Sequence, residues 1–307
     1  MGLRMGGSKM IAIECKDVIK KFGNETVLDH VSFQFEAGNI YALLGRNGAG
    51  KTTLMNCICT KYLPDQGEVK VLEEVAYENE KVLRQICFMS DNMETFETKS
   101  VKMILYFAST FYDNWNVDLM ERLLSQYEID RKKKYIALSK GQKTAVGIII
   151  GLCSGCEIVM FDEIYSGLDA VARQQFYELL LEEQEKNSRT FVLSTHLIEE
   201  MTGLFSNVLM LNDGKVLLCE EMEEIHRKSF KCTGRADCDS LLVNKTVLQK
   251  KEIGTLVEYS IYGEMTNEER HQLETAGFRI TSMSLQELFI AFTLKDEEEW
   301  RSMDGIN

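Results

Sequence analysis

The sequence predicts an α/β fold with an antiparallel β subdomain, an inserted α-helical subdomain and a small C-terminal α+β module. Three observations indicate this fold. A short apolar strand at residues 40–44 leads through a glycine-rich loop into an apolar helix. Apolar strands at 158–161 and 191–194 flank an amphipathic helix at 170–186, an alternation that favours an α/β core. From about residue 222 the pattern changes to short strands and two capped helices.

The segments around this core are predicted from their periodicity. Residues 11–44 are expected to form short strands, because apolar side chains alternate along 31–35 as in a half-buried strand. Residues 101–112 and 117–127 have helical periodicity, which places a helical subdomain at about 92–150. A tight turn at 212–214 between apolar runs predicts a hairpin.

The C-terminal module, residues 222–295, is predicted to contain strands near 241–248, 255–262 and 278–283. Its first helix starts at the capping pair Thr266 and Glu269 and ends at Gly277, and its last helix covers 285–292. Residues 1–10 are expected to be a disordered extension, and residues 296–307 an acidic, solvated tail.

The loop at 45–53 carries the most specific chemical signal, because Gly-Arg-Asn-Gly-Ala-Gly-Lys-Thr-Thr matches the phosphate-binding pattern GxxxxGK[ST]. Glycines at 45, 48 and 50 are expected to adopt backbone angles that aim successive N–H groups into one concave nest. The following helix adds its N-terminal partial positive charge. Lys51 is predicted to reach the outer phosphates, and Thr52 to ligate magnesium. The loop residues predicted to bind nucleotide are Asn47, Gly48, Ala49, Gly50, Lys51, Thr52 and Thr53.

Composition and charge limit the possible partners. The chain has 307 residues and a net charge of −13, which argues against nucleic acid as the main partner. Nine cysteines without a secretory signal indicate a reducing cytosol. No run approaches the ~18 apolar residues needed to span a bilayer. Any membrane role is therefore expected to come through a separate partner.

A second chemical signal is the strand Ile-Val-Met-Phe at 158–161, which ends in Asp162 and Glu163. Ligands bind at the carboxyl ends of strands in open α/β sheets. Asp162 is predicted to hold magnesium, and Glu163 to polarise the attacking water.

A third segment, Leu-Ser-Lys-Gly-Gln at 138–142, lies about twenty residues before the acidic strand. Ser139 and Gln142 fit a capping box, and Gly141 would allow close backbone approach. On its own, the segment is equally consistent with a well-capped helix.

Taken together, these motifs resemble those of the ATP-binding cassette (ABC) ATPases over residues 11 to about 218. In that resemblance 138–142 is the signature motif, 166–169 the D-loop and 194–196 the switch-histidine segment. The resemblance implies a phosphate-loop NTPase core and a nucleotide-binding domain at 11–221. It also implies that Phe22 stacks on adenine and that His196 contacts the γ-phosphate. The implied catalytic residues are Lys51, Glu163 and His196; the signature residues contacting ATP across a dimer are Ser139, Lys140, Gly141 and Gln142, with Asp169 in the D-loop.

The sequence departs from the family pattern at four positions. Asp91 stands where the family has glutamine, and its carboxylate could approach magnesium as a third ligand. Ile164 and Tyr165 replace the usual proline and threonine after the catalytic glutamate, and Arg46 replaces a frequent proline. None of these changes removes a catalytic group.

The resemblance implies an ATP- and magnesium-dependent transport ATPase that pairs head to tail with a second nucleotide-binding subunit, identical or not, and powers a separate membrane permease from the cytoplasmic face. The stretches 111–115 and 284–289 resemble a bacterial subgroup that exports peptides or antimicrobial compounds. The alternative is a soluble ABC ATPase that acts as an assembly scaffold or regulatory switch without a permease.

Overall fold

The computed structural model describes residues 10–90, 96–235, 241–242 and 245–303, with side chains up to residue 295. Its contacts divide the chain into two compact units. The first extends to His196 and includes Leu211–Cys219; the second consists of Leu197–Met210 and the chain from Glu220 onward. Asp91 and residues 1–9 of the predicted extension lie outside the described residues.

The first unit contains two sheets and most of the helices. Its elements are β1 (Ile11–Phe22), β2 (Glu25–Glu36), β3 (Ile40–Gly45), α1 (Lys51–Ile58), β4 (Gln66–Val71), β5 (Glu74–Val75), α2 (Glu80–Leu83), β6 (Ile86–Ser90), α3 (Val101–Phe111), α4 (Val117–Gln126), α5 (Lys140–Cys153), β7 (Ile158–Asp162), α6 (Ala170–Asn187) and β8 (Thr190–Ser194).

An antiparallel sheet with strand order β2-β1-β4-β5 forms the predicted β subdomain. The strands β3, β8, β7 and β6 lie side by side in parallel. Every residue of β7 and β8 is buried, as expected for strands covered on both faces. Leu43 pairs with Ser194, and Ser194 pairs with Asp162, so β7 and β8 end level at one edge and β3 extends two residues beyond them.

Helices α3, α4 and α5 form the helical segment between β6 and β7, which confirms the two predicted amphipathic helices. Each begins at a polar residue whose side chain accepts a hydrogen bond from a backbone N–H of the first turn: Ser100, Asn116 and Ser139. Such caps satisfy donors that the helix itself leaves unpaired.

The buried Arg189 connects the end of α5 to the start of β8. Its guanidinium is 4% exposed and donates to the carbonyl oxygens of Leu152 (2.7 Å), Cys156 (2.8 Å) and Gly151 (3.0 Å). It also pairs with Glu183 at 3.2 Å. A cation at a helix C-terminus complements the helix dipole and satisfies its last carbonyls.

The second unit contains a four-stranded antiparallel sheet with strand order β12-β13-β11-β14. Strands β9 and β10 contribute residues to both units. The remaining elements are α7 (Ile198–Met201), β9 (Asn207–Asn212), β10 (Lys215–Glu221), α8 (Met222–Lys228), β11 (Ser229–Gly234), β12 (Thr246–Ile253), β13 (Leu256–Tyr262), α9 (Asn267–Thr275), β14 (Arg279–Ser282) and α10 (Leu285–Met303).

Several predictions for this region are confirmed and others need correction. Thr266 and Glu269 form both bonds of a capping box, and Gly277 has φ +86° at the end of α9. The strand predicted at 241–248 is instead β12, and β11 was not predicted. Helix α10 continues past the predicted end at residue 292 to Met303, so residues 296–303 of the predicted tail are helical; glutamate, which recurs in this stretch, is a good helix former.

The predicted domain boundary near residue 221 remains a prediction. The contacts divide at Glu220, close to that position, but they also assign Leu197–Met210 to the second unit. Within this unit α7 packs against α10, a contact between distant parts of the chain that sequence periodicity does not reveal.

We predict that Arg189→Ala lowers the free energy of unfolding by roughly 3–5 kcal/mol, because it leaves Glu183 and three carbonyls without their partner in a buried site. Arg122→Ala is the matched control, since Arg122 pairs with Glu182 at 3.4 Å but is 51% exposed. That control should cost less than about 1 kcal/mol. Denaturant titration measures both variants, and equal losses would contradict the role given to Arg189.

Candidate active site

A cleft of about 470 Å³ adjoins the phosphate loop and the end of β7. All seven predicted loop residues, Asn47 to Thr53, line it, and so do Asp162 and Glu163. The structure therefore brings together the two sequence motifs that supply phosphate-binding and acidic groups. Glu25 and Val27 of β2 and Arg46 also line the cleft; motif reasoning did not predict these positions as ligand contacts.

The glycines of the phosphate loop act in two different ways. Gly48 has φ +85° and Gly50 has φ +98°, left-handed conformations that side chains rarely adopt. Gly45 does not need such an angle, which corrects the prediction for that position. A Cβ atom at Gly45 would lie 2.8 Å from the Leu211 carbonyl oxygen, so close packing is what requires glycine there.

Lys51 is 7% exposed, and its ammonium group lies within the loop itself. Nζ donates to the carbonyl oxygens of Gly45 (2.7 Å) and Arg46 (3.1 Å). Burial lowers the pKa of Lys51, while the nearby Glu163 and Asp162 carboxylates act in the opposite direction. An anion in the cleft would offset this desolvation by pairing with the ammonium.

Thr52 and Asp162 meet although they are 110 residues apart. The Thr52 hydroxyl donates to Asp162 Oδ2 at 2.6 Å, and Asp162 is 8% exposed. A hydroxyl and a carboxylate oxygen at this separation are hard ligands that fit Mg²⁺. This ion usually takes only one or two protein groups and completes its shell with water and phosphate.

Glu163 leaves β7 in a left-handed conformation, with φ 51° and ψ 24°. Its N–H donates to the Ser194 carbonyl oxygen at 3.2 Å, and its Oε2 lies 3.5 Å from His196 Nδ1. The His196 side chain is 58% exposed and the Glu163 side chain 31% exposed. The two predicted catalytic side chains are therefore neighbours, although His196 does not line the phosphate-loop cleft.

The signature segment lines a separate recess of about 420 Å³. The predicted capping box is confirmed: Gln142 N donates to Ser139 Oγ at 3.2 Å, and Ser139 N donates to Gln142 Oε1 at 3.4 Å. Ser139, Gly141, Gln142 and Asp169 line this recess, whereas Lys140 is an exposed residue of the first turn of α5. Asp169 caps α6 through a bond from Ala172 N at 2.9 Å.

Two glycines hold the signature segment against the D-loop. A Cβ at Gly141 would lie 3.0 Å from the Gly167 carbonyl oxygen. A Cβ at Gly167 would lie 2.3 Å from Thr144 Oγ1 and 2.9 Å from the Lys140 carbonyl oxygen. The absence of both Cβ atoms therefore allows the two segments to touch.

Phe22 lies at the end of β1 with 44% of its surface exposed. Its ring packs edge-on against Tyr62 at 5.3 Å, and Lys20 Nζ lies 5.5 Å from its centroid. It is not among the residues lining the cleft, so adenine stacking on Phe22 stays a prediction. Asp91 lies outside the described residues, and its magnesium role stays a prediction as well.

A glycine-rich loop, a buried lysine and paired strand-end carboxylates in one cleft define a phosphate-loop ATPase. A profile of the family described as "ABC transporter" matches residues 28–166. The uncharacterized ABC transporter ATP-binding protein MJ1023 of Methanocaldococcus jannaschii is 32% identical over 224 residues, 70% of this chain and 80% of that protein. The chain belongs to the ABC transporter ATP-binding family.

Two further relatives come from Bacillus. The ABC transporter ATP-binding protein YtrB of Bacillus subtilis is 25% identical over 287 residues, 91% of this chain and 97% of that protein. The bacitracin transport ATP-binding protein BcrA of Bacillus licheniformis is 26% identical over 219 residues, 70% of this chain and 71% of that protein.

Solved structures share the fold. The ATP-binding subunit of an ABC transporter superposes with a TM-score of 0.64 at 26% identity, covering 70% of this chain and 92% of that one. A dimeric ATP-binding cassette in a post-hydrolysis state, bound to ADP and Pi, superposes with a TM-score of 0.59 at 20% identity, covering 68% of this chain and 98% of that one. The predicted fold class and ATPase chemistry are confirmed.

We predict that Gly167→Ala lowers the free energy of unfolding by about 1–3 kcal/mol, because the new Cβ overpacks the contact with α5. Gly203→Ala is the control, since no atom lies within 4 Å of a Cβ there. Denaturant titration should show a loss only for Gly167→Ala. A neutral Gly167→Ala would show that the two segments are not in tight contact.

Proposed function

We propose that ATP binds in the phosphate-loop cleft and is hydrolysed with Glu163 as the group that polarises water. The observation that carries this proposal is the shared lining of one cleft by the phosphate-loop residues, with Lys51 among them, and by Asp162 and Glu163. Lys51 pairs with the outer phosphates, and this charge-assisted contact offsets the cost of its burial. Glu163 accepts the proton of the attacking water at the end of β7.

Thr52 and Asp162 would hold Mg²⁺, which neutralises charge on the phosphates during transfer. Their oxygen atoms are already neighbours, 2.6 Å apart in a hydrogen bond. Asp91 is retained as a third candidate ligand from its sequence position alone.

We infer that two nucleotide-binding subunits pair head to tail, as two identical chains or as this chain with a different partner. The phosphate-loop cleft and the signature recess have no lining residue in common, so the signature segment does not contribute to the cleft of its own chain. In such a pair Ser139 and Gly141 contact the γ-phosphate held by the other subunit, and His196 contacts it within its own. The structure of a dimeric relative bound to ADP and Pi supports the pairing of two subunits.

A separate membrane permease is the proposed transport partner. Within the described residues no helix is long and apolar enough to cross a membrane. The first unit has an apolar groove of about 480 Å³ along α3, where Phe107 and Phe111 are 49% and 50% exposed. Exposed apolar patches mark protein contacts, and a groove of this kind accommodates an amphipathic helix. We propose that a cytoplasmic helix of the permease docks there and places the chain at the cytoplasmic face of the membrane.

For the cargo, we propose peptides or other antimicrobial compounds moved out of the cell. One support is the similarity to the bacitracin transport protein BcrA. The other is the resemblance of the short stretches at 111–115 and 284–289 to the bacterial subgroup that exports peptides or antimicrobial compounds. Residues 222–295 would be an accessory module, since the phosphate-loop and signature recesses are lined by other parts of the chain.

We predict that Glu163→Gln keeps ATP affinity but lowers kcat by roughly 10² or more, because the amide cannot accept the proton of the attacking water. Glu157→Gln makes the same charge change at the opposite end of the same strand and should leave kcat unchanged. Nucleotide binding and phosphate release measure the two effects separately.

In cells lacking the native gene, the wild-type chain should restore resistance to peptide antibiotics, and Glu163→Gln should not. Near-normal turnover of Glu163→Gln would refute the catalytic assignment. Normal resistance in the deletion strain would refute the cargo assignment alone.

We predict that Phe107→Asp weakens co-purification with the permease in detergent and abolishes permease-stimulated ATPase activity, because the charge lies in the apolar groove. Tyr106→Asp is the control: Tyr106 is the adjacent residue, is 66% exposed and does not line the groove. Basal ATPase activity should be unchanged in both variants. Equal binding by both would rule out the groove as the docking surface.

A further inference from the structure

Tyr165 occupies an unusual place for so large a side chain. It lies in the short 3-10 turn Ile164–Gly167 that follows Glu163, and it is 1% exposed. Its hydroxyl reaches the switch segment 31 residues away, where His196 N donates to it at 3.0 Å. A second contact joins the same oxygen to His196 Nδ1 at 3.5 Å.

The bonding capacity of a phenol limits where its proton can go. A tyrosine hydroxyl has two acceptor sites and one proton to donate. His196 N–H fills one acceptor site, and the Thr195 side chain also hydrogen-bonds this hydroxyl. A Thr195 hydroxyl that donates fills the second acceptor site, and the phenol proton then goes to His196 Nδ1. Burial raises the pKa of Tyr165 to about 12, so the hydroxyl keeps this proton at neutral pH.

Glu163 competes for the same ring nitrogen. Its Oε2 lies 3.5 Å from His196 Nδ1, the same distance as the Tyr165 hydroxyl. If Nδ1 carried the ring proton, it would donate to Glu163, and Nε2 would present a bare lone pair. If Nδ1 accepts from Tyr165, the ring proton is on Nε2. Catalytic hydrogen bonds are often this long before the substrate binds.

We propose that the Tyr165 hydroxyl is a positioning residue that fixes the neutral His196 ring in the tautomer with its proton on Nε2. Nε2–H then donates to the γ-phosphate, and Glu163 remains free to accept the proton of the attacking water. This inference rests on the γ-phosphate contact proposed above for His196. It assigns a role to a residue that replaces the smaller threonine common in the family.

Nitrogen NMR of the full-length chain labelled with ¹⁵N-histidine tests the tautomer directly. Spectra at pH 8, where an imidazole is ordinarily neutral, distinguish protonated from bare ring nitrogens. Subtracting the spectrum of His196→Ala assigns the His196 signals among the four histidines. We expect the Nε2–H form in the wild type and a shift toward Nδ1–H in Tyr165→Phe.

Tyr41→Phe is the matched control for this change. The Tyr41 hydroxyl is also buried, accepting from Glu36 N at 2.7 Å and donating to Glu36 O at 3.2 Å. The control loses an equivalent hydroxyl in the same unit without touching the switch segment. It should leave both the His196 signals and turnover unchanged.

Steady-state kinetics test whether Tyr165 acts through His196. Tyr165→Phe should lower kcat about tenfold with little change in KM for ATP, because the phosphate loop is intact. In a double-mutant cycle, Tyr165→Phe should have no further effect on kcat in the His196→Ala background.

The possible outcomes separate this inference from the function on which it rests. A wild-type ring protonated on Nδ1, an unchanged tautomer in Tyr165→Phe, or additive losses in the cycle would each overturn the role of Tyr165. Full activity of His196→Ala would instead overturn the γ-phosphate contact, and the spectra would still show whether Tyr165 sets the tautomer.

Discussion

The parallel register of three buried strands is the constraint on which the active site depends. Leu43 in β3, Ser194 in β8 and Asp162 in β7 are level, so the three parallel strands reach the same edge, with β3 two residues longer. The phosphate loop, the carboxylate pair and the switch segment therefore leave the sheet at neighbouring points. A slip of one residue would exchange the two faces of a strand whose side chains are all buried. The packing of the core therefore determines how close together the site residues lie.

Glycines, which have no side chain, set the distances between the loops that leave this edge. Gly48 and Gly50 have left-handed backbone angles, whereas Gly45, Gly141 and Gly167 have none but, like Gly50, have another atom within 3.0 Å of the place of a Cβ. Gly45 lets the phosphate loop pack against the Leu211 backbone, and Gly141 and Gly167 let the signature segment pack against the D-loop. The contacts are short and leave little room for independent movement, because packed interiors respond to even one extra methyl group.

The sequence predicted the parts of the site that depend on local patterns. The phosphate loop and the Asp162–Glu163 pair each combine a buried strand with a few polar residues, and strand ends meet at one edge. Contacts between loop conformations were not predictable in this way. Tyr165 reaches His196 because two turns happen to face each other, and Glu25 reaches the cleft because one sheet packs beside another. Such contacts follow from tertiary packing, which produces no periodic pattern in the sequence.

The conformation of Glu163 explains how two successive carboxylates serve one cleft. Adjacent residues of a strand point to opposite faces, so Asp162 and Glu163 could not both line the cleft if β7 continued. The strand ends at Asp162, and Glu163 turns to φ 51°, a conformation that is costly for a residue with a Cβ. The turn is held by the bond from Glu163 N to the Ser194 carbonyl oxygen. The same reversal buries the turn that follows and brings the Tyr165 hydroxyl to His196. One strained residue, Glu163, therefore places its own carboxylate and also Tyr165, which orients the neighbouring histidine.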